Sequence, residues 1–235
     1  MGSDTSPRPS ADFGQQITWV YTYDLAATAR FYTDTLGLPM VLDQGNCRVF
    51  QATRASFIGL CQRPDRDVEP IQKLYFAAIA TARERVYVTT PYFVPDDAIL
   101  TALTTAGMRG VDVRVLVPRR SDSLVVTAAA RSYYDALLAA GVRVYEYQPT
   151  MIHSKTVVVD DFFAAVGTAN MDNRSFRLNF EVSAIVYGAE NAEVLSTQFR
   201  KDLAASKEIT TAKRLVIPLR WRIAEAGARI LSPLL

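Results

Sequence analysis

The chain holds one histidine, and its surroundings are where chemistry would be found. It lies in the run His153-Ser154-Lys155-Thr156-Val157-Val158-Val159-Asp160, and after six more residues comes Gly167-Thr168-Ala169-Asn170. Side chains on a strand repeat every two positions, so a strand over 152–159 turns His153 and Lys155 to one face. A short turn at Asp160-Asp161 folds the next strand back alongside and carries the 167–170 loop towards the start of the first, where Asn170 joins the pair. Imidazole, ammonium and carboxamide together suit phosphoryl transfer: the histidine attacks or protonates, and the other two neutralise charge spread over the equatorial oxygens. That chemistry requires no metal, and no cofactor is expected. A lone histidine is commonly structural, but the full spacing is far more restrictive than the histidine by itself.

The elements that must position these residues are those of an α/β protein. Between 71 and 206, helical spacing over 71–82, 96–108, 124–140 and 190–205 alternates with strand signals over 85–90, 111–117, 142–147, 152–159, 162–167 and 181–187. The expected fold of this part is a mixed sheet flanked by helices. In front of it, 13–63 reads as a small β-α-β-β-β half-module. A strand over 17–23 leads to a helix over 25–36, with Asp24 as N-cap and Gly37 as stop, and three short strands follow. Residues 1–12 read as a disordered lead, 64–70 as a linker and 207–235 as a basic amphipathic tail.

Composition bounds the alternatives. Hydrophobic residues make up 49% and charged residues 21%, which excludes wholesale disorder and fibrous repeats. Net charge is +2, and residues 67–206 carry 14 basic against 16 acidic side chains, so no nucleic acid partner is expected. Cys47 and Cys61 with one histidine cannot build a Cys/His zinc site, and they read as two reduced, buried thiols rather than a pair. No apolar run approaches the roughly 18–20 residues that span a bilayer, and Met1–Ser10 lacks the order of a secretory signal. These features read as a soluble or peripheral chain.

Beyond the histidine motif stand Thr90-Pro91-Tyr92-Phe93-Val94-Pro95-Asp96, Arg131-Ser132-Tyr133-Tyr134, the run from Gly167 to Phe176, Leu178-Asn179-Phe180-Glu181 and the ending Leu231-Ser232-Pro233-Leu234-Leu235. With them, the chain from about 68 onwards resembles the C-terminal half of bacterial cardiolipin synthases, members of the phospholipase D superfamily. The resemblance implies that His153 is nucleophile or general acid, and that Lys155 and Asn170 hold the phosphate. It also implies that Glu181 orients the histidine and that Asp160 completes the motif in a more structural role. Thr168 stands where many members have serine, with a hydroxyl to donate to a phosphate oxygen. Tyr92 and Phe93 line a lipid cleft or pack in the core.

The activity so implied joins two phosphatidylglycerols into cardiolipin and glycerol through a phosphohistidine. Such synthases resemble two fused halves with two motifs at one site, and this chain has one, so catalysis implies a homodimer. The alternatives are a catalytically incomplete fragment that binds phospholipid or phosphate, and a single-motif phosphodiesterase acting on lipid or nucleic acid. Residues 14–62, with the runs Tyr23–Tyr32 and Leu36-Gly37-Leu38, resemble one half-module of the glyoxalase and bleomycin-resistance superfamily. Ile17 stands near that family's metal-binding histidine and cannot ligate, and a small-molecule site in this module is a further alternative. In the tail, Leu219, Ile223, Ala226 and Ile230 lie opposite Arg222, Glu225 and Arg229, and either an anionic membrane surface or the chain's own domain receives this helix. Its charge favours the membrane, and the resemblance implies a peripheral place on the cytoplasmic side of a bacterial membrane.

Overall fold

The computed structural model describes residues 16–54, 56–62 and 69–232. The 1–12 lead, the 64–68 part of the linker and residues 233–235 lie outside them. The chain divides into two compact units, 1–68 and 69–235.

In the first unit, β1 (Gln16–Thr22), β2 (Met40–Asp43), β3 (Cys47–Gln51) and β4 (Ser56–Gln62) form a sheet in the order β1-β4-β3-β2. The β-branched and aromatic run of β1 makes it a strand, and it pairs parallel with β4. The parallel pairing requires a crossover, supplied by α1 (Leu25–Arg30) and a wide helical turn over Phe31–Thr35. Asp24 caps α1 by accepting from Ala27 N at 2.8 Å. Leu25, Ala29, Phe50 and Leu60 form the core between helix and sheet. Cys47 and Cys61 are disulfide-bonded, which overturns the expectation of two free thiols. The physical reason is register: β3 and β4 place the two residues directly opposite each other, with Cα atoms 4.0 Å apart.

The second unit is built on a seven-stranded mixed sheet in the order β12-β10-β9-β5-β7-β8-β13. Its strands are β5 (Arg85–Thr89), β7 (Asp112–Pro118), β8 (Arg143–Tyr147), β9 (Thr156–Val159), β10 (Phe163–Gly167), β12 (Ser183–Tyr187) and β13 (Ser206–Ile209). The strands β5, β7 and β8 are parallel, and the others join antiparallel. Both faces are covered, which is why these strands read as nearly continuous apolar runs. One face packs Val86, Val88, Val113, Val115, Val144, Val157 and Val159 under α2 (Pro70–Thr81), α3 (Asp97–Met108), α4 (Leu124–Ser132) and α5 (Tyr134–Ala139). The other packs Tyr87, Leu116, Tyr145 and Val158 under α6 (Ala189–Ala204), where Phe199 stacks on Tyr87 at 4.7 Å. The single helix expected over 124–140 is two helices that meet at Tyr133. A two-residue parallel ladder, β6 (Phe93–Val94) with β11 (Met171–Asp172), ties the segment after β5 to the segment after β10.

The stretch over 207–232, read from the sequence as a basic amphipathic tail that either a membrane or the chain's own domain receives, packs on this unit. Strand β13 closes one edge of the sheet against β8, and α7 (Thr211–Leu215) and α8 (Leu219–Ile230) follow. Helix α8 docks by its charged side. Arg214, buried, bridges Asp135 at 2.8 Å and Glu225 at 2.7 Å, Arg222 reaches Asp135 at 3.1 Å, and the Arg229 guanidinium lies 4.4 Å above the Tyr133 ring. Leu219, Ile223 and Ile230 therefore face outward and are exposed, as are Trp221, Leu215 and Val216.

Candidate active site

The strand carrying the histidine motif is shorter than its sequence predicts. Strand β9 begins at Thr156, so His153 and Lys155 belong to the segment that leads into it. The ladder with β10 nonetheless continues one step further, because Gly167 N donates to Lys155 O at 3.1 Å. This keeps Lys155 beside the 167–170 loop. Gly167 is needed there: a Cβ on it would collide with the Val182 carbonyl oxygen and the Ser183 hydroxyl of the adjoining strand.

His153, Lys155, Thr168 and Asn170 come together in one open cleft of about 700 Å³, which Thr89, Tyr92 and, from α6, Leu195, Gln198, Phe199 and Asp202 also line. The imidazole of His153 is exposed and makes no hydrogen bond among the described residues. Lys155 donates from Nζ to the carbonyl of His153 at 2.8 Å. Burial lowers the Lys155 pKa, against the pull of Glu181 and Asp172. Among the described residues lining the cleft it is the one cation.

Thr168 is held by the adjoining segment and by Glu181. Its amide N donates to Val182 O at 2.9 Å, its Oγ1 accepts from Val182 N at 3.0 Å, and its hydroxyl donates to Glu181 Oε2. A hydroxyl has one proton, and here Glu181 accepts it. Glu181 in turn accepts from Asn179 Nδ2 at 3.0 Å with its other oxygen. The carboxylate thus holds the Thr168 loop from behind the cleft. It makes no hydrogen bond to His153 in this structure.

Asn170 is fixed by its own amide N, which donates to Ser175 Oγ at 3.0 Å, while its side-chain Oδ1 is buried without a hydrogen-bond partner among the described residues. Asp172, one strand position beyond the loop, is buried and accepts from Ser175 N at 2.7 Å. Burial raises its pKa, Ser175 and Asn170 lower it by hydrogen bonding, and Glu181 raises it further. No role was expected for Asp172. Its signal in the sequence is its place two residues after Asn170.

Asp160, counted among the catalytic candidates, is not in the cleft. It sits beyond β9, roughly 16 Å of extended chain from Lys155 at about 3.3 Å per residue. Its carboxylate accepts from the backbone N of Arg83 at 3.0 Å, Glu84 at 2.8 Å and Arg85 at 3.0 Å, and its own φ is 53°. Its position shows a turn-and-cap residue that locks the β9–β10 hairpin to the start of β5. Tyr92 lines the cleft, its hydroxyl donating to Asp122 Oδ1 at 2.7 Å, and burial followed by that carboxylate pushes its pKa up to about 12. Phe93 is core. Among the described residues there is no group of His, Cys, Asp and Glu fit to hold a metal ion.

Comparison with known proteins locates this arrangement. A family model described as cardiolipin synthase, PLD-like domain, matches residues 75–203. Cardiolipin synthase 2 of Bacillus anthracis is 49% identical over 172 residues, covering 73% of this chain and 34% of the relative. The cardiolipin synthase of Geobacillus kaustophilus is 44% identical over 202 residues, covering 86% and 39%. The chain thus spans between a third and two fifths of the length of these relatives. Among solved structures, the phospholipase D family member Nuc from Salmonella typhimurium superposes with a TM-score of 0.53 at 20% identity, over 60% of this chain and 91% of that one. Phosphatidylserine synthase from Haemophilus influenzae gives 0.54 at 14% identity, over 70% and 45%. At these identities the two structures speak to the fold.

Proposed function

The chain belongs to the family of cardiolipin synthase, PLD-like domains, and from that premise we propose that it transfers phosphatidyl groups between phosphatidylglycerol molecules through His153. The observation that carries this reading is the convergence of His153, Lys155 and Asn170 on one cleft. An imidazole nitrogen of His153 attacks phosphorus, the P–O bond to the head-group glycerol breaks, and the glycerol leaves with a proton from His153 of a second copy. The hydroxyl of a second phosphatidylglycerol then attacks the phosphohistidine, its proton returns to that second histidine, and the P–N bond breaks. The sum is two phosphatidylglycerols to one cardiolipin and one glycerol. Lys155 and the Asn170 amide stabilise the equatorial oxygens. One imidazole cannot be nucleophile and leaving-group acid at once, and in this proposal a second copy of the chain supplies the other histidine. The exposed apolar residues Leu178, Phe180 and Val182, next to Glu181, support a partner at the mouth of the site.

The outward apolar side of α8, with Trp221 and the exposed cations Lys213 and Arg220 near it, supports peripheral attachment to an anionic lipid surface. No helix among the described residues is long and apolar enough to cross a membrane. The Cys47–Cys61 disulfide favours an oxidising compartment over the cytoplasmic side expected from the sequence. For residues 14–62 we propose a glyoxalase-like half-module, a reading that rests on the β-α-β-β-β order alone.

The test is conversion of vesicles of head-group-labelled phosphatidylglycerol by the whole chain. Cardiolipin and released glycerol in equal amounts, lost in His153→Ala, are the expected result. A folded, dimeric protein without turnover, or turnover indifferent to His153→Ala, overturns it and leaves a phospholipid-binding module.

A further inference from the structure

The cleft has a second wall that phosphate chemistry does not use. Helix α6 turns Leu195, Gln198, Phe199 and Asp202 into it, the i, i+3, i+4, i+7 positions of one helical face. Phe199 is held by its stacking on Tyr87, so this wall is fixed to the sheet that carries His153. Gln198 Nε2 donates to Asp202 Oδ1 at 2.9 Å. That bond leaves Gln198 Oε1 and Asp202 Oδ2 as side-chain acceptors with no hydrogen-bond partner among the described residues.

A carboxylate repels a phosphate dianion or diester, so Asp202 is out of place as a phosphate ligand. Asp202 lines the cleft from α6, whereas Lys155 lines it from the segment that leads into β9. Two neighbouring acceptors on one helix face match a ligand bearing two neighbouring donors. Leu195 and Phe199 on the same helix face supply apolar contact for the carbons between them.

We infer that the Gln198–Asp202 pair is a subsite for a vicinal diol, the glycerol head group of the phospholipid that donates or accepts the phosphatidyl group. This deepens the proposed function and rests on its placement of phosphate at His153 and Lys155. Gln198 Oε1 and Asp202 Oδ2 accept one hydroxyl proton each, and the choice of a glycerol-bearing lipid over one with a plain alkyl head follows from filling both acceptors. A ligand with both hydroxyls fills both acceptors, and an analogue that lacks them fills neither.

Two measurements test it on the whole chain. In the first, glycerol phosphate and propyl phosphate are titrated against the protein, with the imidazole resonances of His153 as the signal. Glycerol phosphate should bind about tenfold more tightly, and Asp202→Ala and Gln198→Ala should each reduce that ratio towards one. In the second, labelled glycerol and labelled 1-propanol compete as acceptors from phosphatidylglycerol vesicles, and the glycerol-to-propanol product ratio should fall by a similar factor in both variants. A wild-type ratio of one in the titration, or a ratio that survives both substitutions, overturns the subsite. Absence of any transfer with the binding preference intact overturns the enzymatic reading and leaves the subsite standing. An ammonium head group that binds better than glycerol phosphate, in a manner lost with Asp202→Ala, reassigns the pair to a cation and overturns the diol.

Discussion

The ammonium of Lys155 donates to the backbone carbonyl of His153 at 2.8 Å, so the cation of the cleft is anchored to the very residue that carries its imidazole. Lys155→Ala removes both charge and anchor and should lower phosphatidyl transfer about 10²–10³-fold, as loss of a transition-state donor does. Lys155→Arg keeps a charge but replaces a compact ammonium by a planar fork, and should recover only part of the rate. Burial holds the Lys155 pKa below the ordinary 10.5. The wild-type rate should therefore decline on the alkaline side before a free lysine would titrate, and the arginine variant should not show that limb. A pH profile of kcat/KM on both proteins checks this.

Glu181 holds Thr168, and this arrangement separates two readings of the carboxylate. Glu181→Gln still offers an oxygen to the threonine proton and should retain most activity, whereas Glu181→Ala should lower kcat about 10–100-fold as the loop loosens. A carboxylate orienting the histidine would give the opposite pattern, with Gln as damaging as Ala. Steady-state kinetics on the two variants decides between them.

Asp160 predicts a stability effect without a catalytic one. Its carboxylate serves the backbone amides of Arg83, Glu84 and Arg85, and replacement by alanine leaves these part-buried donors without it. Asp160→Ala should cost about 2–3 kcal/mol, and Asp160→Asn, which tolerates the left-handed φ and keeps one acceptor, distinctly less. Urea denaturation measures both, and transfer per folded molecule should be unaffected by Asp160→Asn.

Helix α8 offers two substitutions with different outcomes. Leu219→Ser with Ile223→Ser, on its exposed side, should weaken binding to anionic vesicles about tenfold while changing thermal stability little. Glu225→Ala, on its docked side, leaves buried Arg214 with only Asp135 and should destabilise by about 2–4 kcal/mol. Co-sedimentation and thermal melts read the two effects.

Acid should loosen the same region. Hydrogen bonding from Arg214, with Arg222 adding to it, holds the Asp135 pKa below its ordinary 3.8, and Arg143 lowers Glu208 in the same way. An unfolded chain then binds more protons than the folded one, so this stabilisation is complete above the ordinary carboxylate range and is lost as pH falls through the depressed folded values. Asp172, raised by burial, has the opposite sign and favours the folded state on acidification. Asp135→Asn should flatten the acid limb of a stability curve, whereas Asp172→Asn should steepen it.

Much of this molecule is legible in its sequence because the signals are local. The alternation of strands and helices in 71–206 follows from apolar periodicity, and the Asp24 cap and the stop at Gly37, with φ of 66°, follow from single residues whose chemistry admits few alternatives. The spacing of His153, Lys155 and Asn170 also marks the cleft, since one hairpin carries all three.

What the sequence does not determine is everything that depends on which residue lies opposite which. Cys47 and Cys61 are bonded because the β3–β4 register pairs them, and register is a property of two strands rather than of either. Thr168 gives its proton to Glu181 because Gly167 lets two strands approach closely, and α6 reaches the cleft because Phe199 found Tyr87. Helix α8 shows the limit most plainly. Its periodicity marks an apolar side and a charged side, but an amphipathic helix can bury either one. The partner that decided was the Asp135 carboxylate from α5, which with Glu225 neutralises Arg214 and draws the charged side inward. The sequence by itself determined the elements and the reactive groups; the tertiary structure alone decided their pairings, because a pairing energy belongs to two distant segments brought together and to neither apart.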